Sequence, residues 1–284
     1  MALGIHGNVF FAILIFIGAG LTSELAVAQK NIPTLRSDRI KISYVPPKNS
    51  AHENLLRLLK ERRILERFKS FLSPLRLPRP LLLKTEGCDG ESNAWYEDDA
   101  ITVCYEYLDD IFQNAPKETT PAGVTRTDAI VGPTLDVFLH EVGHAVFDYL
   151  SLPILGREED AADQFSAYLL LQFAGSDARR LITGTGYAYR LDAAKPSTKK
   201  YPFADEHGLP AQRFYNVLCM AYGADSKLFA DLVQKEYLPK ERAEGCSEEY
   251  EQVAFAMKKL VGPYIDQTRA KRVRARQWLR FELQ

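Results

Sequence analysis

Five consecutive residues carry the strongest chemical signal in the chain: His140-Glu141-Val142-Gly143-His144. On a helix, residues four apart share a face, so both imidazoles can reach one metal ion. Glu141 sits one step round that helix. From there its carboxylate approaches a metal-activated water without being a ligand. Zinc lowers the pKa of such a water towards neutrality, and a carboxylate base completes its activation. The competing reading is a buried histidine pair capped by a neighbouring glutamate. Against it, Leu135, Phe138, Val142, Ala145 and Tyr149 give the same helix an apolar face for a core. Gly143 and Ala145 allow close packing beside the site.

A catalytic zinc takes three protein ligands and keeps an open position. A further histidine soon after His144 is absent; Phe147 and Leu150 stand where the extended metzincin pattern needs Gly and His. Instead an acidic run, Glu158-Glu159-Asp160 and then Asp163, follows a break at Pro153. The 14 residues 145–158 suffice to finish one helix, turn at 153–156 and start an antiparallel one. Glu159 and Asp163 then share a face. Glu159 is the expected third ligand, with Glu158 or Asp160 as substitutes. Asp163 is expected to accept the free N–H of a ligand histidine and fix its tautomer. Taken alone, such a run also fits carboxylates solvated at a helix N-terminus. A donor for a developing oxyanion is also needed. His207 is the expected catalytic partner, with Arg213 and Tyr215 as nearby candidates; the competing role of 205–208 is a loop that starts a helix.

These groups need a scaffold. The chain has 284 residues, 46% of them hydrophobic, which is enough for one substantial core. Residues 9–21 are almost purely apolar, the length of a signal-peptide core and short for a membrane span. Ala26-Val27-Ala28 supplies small residues for cleavage before Gln29, so residues 1–28 read as a signal peptide; an uncleaved anchor is the alternative. Lys and Arg total 36 and Asp and Glu 37. Cleavage removes Glu24 alone, leaving the two signs balanced, and no basic excess points to nucleic acid. The four cysteines of an exported chain suggest two disulfides, and the shorter loops favour Cys88–Cys104 and Cys219–Cys246.

Residues 40–45 alternate as a strand, and a capping box at Ser50 and Glu53 opens a helix that Pro74 ends. A second strand covers 81–84, and 88–104 reads as a hairpin. The strand 101–105 is either a sheet edge for an extended peptide or a core strand. From Thr127 onward the pattern is helical; Pro133 is tolerated if it opens a helix at Gly132-Pro133, which runs to about Leu150. A further helix is expected over 158–173, with others near 210–222, 226–236 and 247–260. The basic segment 269–280 reads as a solvated helix face. The architecture is α+β: a small antiparallel sheet beside a mainly helical body. One domain is expected over 29–284, with 29–150 and 151–284 as two lobes if it divides.

HExxH followed by ExxxD resembles the gluzincin branch of zinc peptidases. More narrowly, the chain is similar to a bacterial family of secreted proteins labelled metallopeptidases on their zinc motif. The marks are Asn93-Ala94-Trp95-Tyr96, 101–106 (ITVCYE), 140–145 (HEVGHA), 156–165 (GREEDAADQF), Asp205-Glu206-His207-Gly208 and Gln212-Arg213-Phe214-Tyr215-Asn216. The resemblance covers most of the chain after residue 28 and implies a zincin-like fold. The combined expectation is an exported, periplasmic or extracellular zinc peptidase with ligands His140, His144 and Glu159, Glu141 as general base, and a peptide or protein substrate. After processing, no stable membrane insertion is expected. The alternatives are a zinc-stabilised binding protein without turnover, and hydrolysis of a non-peptide amide in cell-wall material.

Overall fold

The computed structural model describes residues 35–197, 200–279 and 283; the apolar segment 9–21 and the cleavage site lie outside them. Strand β1 (Ile40–Tyr44) leads through a short 3-10 turn, Ser50–His52, into α1 (Glu53–Glu61) and α2 (Ile64–Phe71). Strand β2 (Leu81–Glu86) follows, then the hairpin β3 (Ala94–Glu97) and β4 (Ala100–Cys104), and α3 (Tyr105–Asn114). The helical body comprises α4 (Arg126–Leu150), α5 (Glu158–Leu170), α6 (Gly175–Ala194) and α7 (Pro210–Ala224). Shorter helices close the chain: α8 (Ala230–Gln234), α9 (Lys240–Ala243), α10 (Cys246–Ala256) and α11 (Gln267–Arg274), with a π-turn at Met257–Val261. No described helix is long and apolar enough to cross a membrane.

The α+β reading holds, with a change in the sheet. Its order is β1-β2-β4-β3; β1 pairs β2 in parallel, β2 pairs β4 in parallel, and only β3 runs antiparallel. The sheet is therefore mixed rather than antiparallel. The reason lies in the connection: α1 and α2 form the crossover that parallel neighbours require. The 101–105 segment is not an edge, because β4 lies between β2 and β3 with Ile101 and Val103 fully buried. The edge beside it is β3.

Two helix boundaries also differ from expectation. The first helical stretch is broken where Arg63 adopts a left-handed backbone (φ 52°), and α1 starts at Glu53 behind a turn capped by Asn49, not Ser50. Helix α4 starts seven residues before Pro133, at Arg126. A capping box sets that start: Thr125 Oγ1 accepts from the Asp128 N–H (3.2 Å), and Asp128 Oδ2 accepts from the Thr125 N–H (3.3 Å). Tertiary packing then carries the helix through the proline. Leu139, Val142 and Val146 are fully buried, and the Phe138 and Phe68 rings pack at 4.7 Å. Helix α4 lies against β3 and β4 on one side and α5 and α6 on the other.

Both expected disulfides are present, Cys88–Cys104 and Cys219–Cys246. They fit an oxidising compartment. On α11, Ala270 and Val273 are buried while Lys271, Arg272 and Arg274 are exposed, as a solvated basic face requires.

Helices α4 and α6 cross at a point where no side chain fits. A Cβ on Gly184 would collide with the Asp128 carbonyl, and one on Gly132 would lie 2.6 Å from the Leu181 carbonyl oxygen. Gly184→Ala should therefore destabilise, although alanine favours a helix by about 1 kcal/mol over glycine. Overpacking at this crossing should cost about 1–3 kcal/mol, read from equilibrium urea unfolding. A stabilised variant would mean that the two helices do not cross there.

Candidate metal centre

Helix α4 ends at Ser151, which adopts a left-handed backbone (φ 48°), and the chain turns through Gly156 (φ 104°) into α5. The two helices are therefore antiparallel neighbours. Gly143 lets them approach: a Cβ there would lie 3.3 Å from the Ala162 Cα. On α4, Asp136, His140 and His144 succeed one another every four residues on one face. On α5, Glu159, Asp163 and Ser166 do the same at spacings of four and three. The two rows meet like a zip.

The nitrogens converge. His140 Nε2 and His144 Nε2 are 3.2 Å apart. Glu159 Oε2 lies 3.0 Å from His140 Nε2, and Glu159 Oε1 lies 3.5 Å from His144 Nε2. The outer nitrogens are held by other carboxylates. His140 Nδ1 donates to Asp163 Oδ1 (2.9 Å), and His144 Nδ1 pairs with Glu158 Oε1 (2.8 Å). Glu158 thus stands behind a histidine rather than among the converging atoms, and Asp160 pairs with Arg157 (2.7 Å). Of the three acids at the start of α5, only Glu159 points into the cluster.

His207 joins them from the loop before α7. Its Nε2 lies 2.8 Å from Glu159 Oε2, its Nδ1 faces Asp205 at 3.4 Å, and its ring stacks beside His140 at 5.8 Å. His140, Glu159 and His207 offer ligand atoms all within 4.8 Å of one another, so this group could hold a metal ion. Two overlapping donor sets therefore share His140 and Glu159. One adds His144 from the same helix; the other adds His207 from a loop, where its side chain is 38% exposed.

The charges follow from this crowding. Burial alone would lower the His140 pKa, but Asp163 and Glu159 outweigh it and raise the imidazole to about 9. Burial likewise opposes, and the Glu159 and Glu158 carboxylates more than offset, so His144 is raised too. Burial pushes the Glu159 carboxyl up, and His140, His144 and His207 together hold it far below the usual carboxylate range. Glu141 is only 7% exposed, and burial raises its pKa against the pull of His140 and His144. A carboxyl raised in this way is a stronger base than an exposed one, which suits a general base.

Arg213 is one layer back. Its Nε donates to Asp163 Oδ2 (2.8 Å) and its Nη2 to Oδ1, so its hydrogen bonds reach the cluster through Asp163. Tyr215 makes no such approach; it lines a polar cavity of about 340 Å³ with Arg157, Asp160 and Gly208. Three further groups had no part in the sequence reading. Asp136 is buried on α4, where Ser166 Oγ (2.6 Å) and the Tyr189 hydroxyl (2.6 Å) donate to its carboxylate. An acid amid the apolar run of 129–146, four residues before His140, was the available signal. A larger cavity of about 530 Å³, walled by α5, the π-turn and α11, holds none of these groups.

The donor set suits a metal: two imidazole nitrogens and a carboxylate converge, with their outer atoms already fixed. Comparison with known proteins agrees at that level. No curated protein matches the chain, and no solved structure does. Residues 44–261, which include every group of the cluster, match a family described as "Putative metallopeptidase". By that match over most of its length, the chain belongs to this metallopeptidase family.

Proposed function

We propose that this protein is an exported zinc peptidase of the gluzincin type, with His140, His144 and Glu159 as metal donors. The observation that carries the reading is the convergence of the two Nε2 atoms and Glu159, while Asp163 and Glu158 hold the outer nitrogens. Zinc bound there supplies Lewis-acid activation of water and polarisation of the scissile carbonyl. Glu141 takes the proton from the attacking water onto its carboxylate and passes it to the leaving amine. Its burial makes that carboxylate more basic than an exposed one. His207, beside the donors on an accessible loop, offers an N–H to the oxygen that gains charge in the transition state. The substrate is a peptide or protein. The two disulfides support export, since they persist in oxidising compartments.

One observation favours a second reading. His207 Nε2 is as near to Glu159 as His140 is. Four protein donors would close the metal's sphere, as in structural sites, and leave a zinc-stabilised binding protein. Two variants separate the readings. Glu141→Gln keeps size and loses the base; it should be folded and zinc-replete, with turnover of a broad peptide library down by about 10²–10⁴-fold or more. Peptide hydrolysis at the wild-type rate by that variant would place the activity elsewhere. His207→Ala should retain zinc and lose kcat with little change in KM. If it instead loses zinc as His140→Ala does, the closed site is correct.

Proton competition gives a further expected outcome. The free-base form of His140 is the ligand, whereas the metal-free protein holds it as imidazolium up to about pH 9. Zinc uptake should therefore release at least one proton, and apparent affinity should rise about tenfold or more per pH unit below that value, more steeply where His144 is also protonated. The same shift acts on folding. Its contribution to the stability of the metal-free protein is complete below the ordinary imidazole value of 6.5 and is lost as pH rises through about 9. Chelator competition and metal-free denaturation across this range check both signs. A pH-independent zinc affinity would remove His140 from the ligand set.

A further inference from the structure

The Asp163 carboxylate could turn about its own bond if His140 were its only partner. It cannot turn here. Arg213, from the first turn of α7, grips both oxygens, Nε on Oδ2 at 2.8 Å and Nη2 on Oδ1. Such a fork fixes the plane of a carboxylate, which one hydrogen bond does not. Oδ1 is then presented to His140 Nδ1 at 2.9 Å. We propose that Arg213 is a positioning residue for the metal centre, holding Asp163 so that the His140 ring stays aimed at the metal; this rests on His140 being a ligand, as proposed above.

Arg213 is itself held. Its guanidinium lies over the Tyr189 ring at 4.6 Å. The Tyr189 hydroxyl donates to Asp136 Oδ2 (2.6 Å), and Ser166 Oγ donates to Asp136 Oδ1 (2.6 Å) and to its backbone carbonyl (3.1 Å). Asp136 is one turn before His140 on α4, and Ser166 is one turn after Asp163 on α5. The contacts thus leave α4 at His140, pass through α5, α7 and α6, and return to α4 one turn away. A circuit without a free end resists rotation of any member. Lysine cannot take the place of Arg213, because an ammonium neither forks nor stacks as a guanidinium does.

A structural ion pair would predict lower stability and unchanged metal binding. The positioning role predicts something else. In the full chain, Arg213→Lys should weaken zinc binding in chelator competition by about 10–100-fold, the range for groups that orient a ligand. Asp163→Asn should weaken it in the same range. Because Arg213 acts through Asp163, the double variant should bind no more weakly than Asp163→Asn alone. Wild-type zinc affinity in Arg213→Lys would overturn the proposal, and so would losses that multiply in the double variant. A second readout needs no zinc: the His140 ring ¹⁵N shifts in the metal-free protein should differ between wild type and Arg213→Lys. Unchanged shifts overturn the positioning role. Failure of the wild type to take up zinc at all would instead overturn the ligand assignment, leaving the ring shifts to decide the role of Arg213.

Discussion

The charge on Asp163 sits between helices, with its side chain only 20% exposed, and the helical body is arranged to satisfy it. One oxygen is shared by His140 and Arg213, and the other is taken by Arg213 alone. An unpaired charge in that place would cost several kcal/mol. Helix α7 brings Arg213 to Asp163, and Asp163 sets the direction of the His140 ring. Gly143 helps the arrangement, because a Cβ there would press on Ala162 and Phe165 of α5. Neutral packing sets the distance between the helices; the charged pairs set their rotation.

Much of the centre was legible because its signals are local. His140 and His144 differ by one helical turn, Glu159 and Asp163 by another, and Pro153 with Gly156 marks the reversal between them. Both disulfides close short loops, so loop length alone chose them among the three pairings. The acids at 158–160 were ambiguous for a physical reason: three consecutive helix positions point in three directions, and only the register of α5 on α4 decides which enters the cluster.

What was illegible depended on partners distant in sequence. Helix α6 has a weak signal in the sequence because Gly184, Gly186 and the threonines lower its intrinsic preference; Gly184 is there to let α4 come close, and Gly186 faces Leu218 and Phe214 of α7. The start of α4 is ambiguous in the sequence because Pro133 competes as an opening with the helical pattern that begins at Thr127, and the Thr125 and Asp128 cap decides between them. The parallel pairing of β1 with β2 had a signal, a helix between two strands, that went unused. Asp136, Ser166 and Tyr189 form one polar cluster from three helices, and no spacing in the sequence joins them.

The positions of these contacts along the chain bear on the order in which they form. His140 and Glu159 are 19 residues apart, and a two-helix turn brings them together. The sheet is instead complete only when Ile40 has joined Leu81 across two helices. Closing the shorter loop costs less entropy, and local contacts form sooner. The helical hairpin that carries the donors should accordingly be an early part of the structure. A metal ion present at that stage would bind the hairpin before the sheet has closed, and so would act on the rate of folding as well as on the stability of its product.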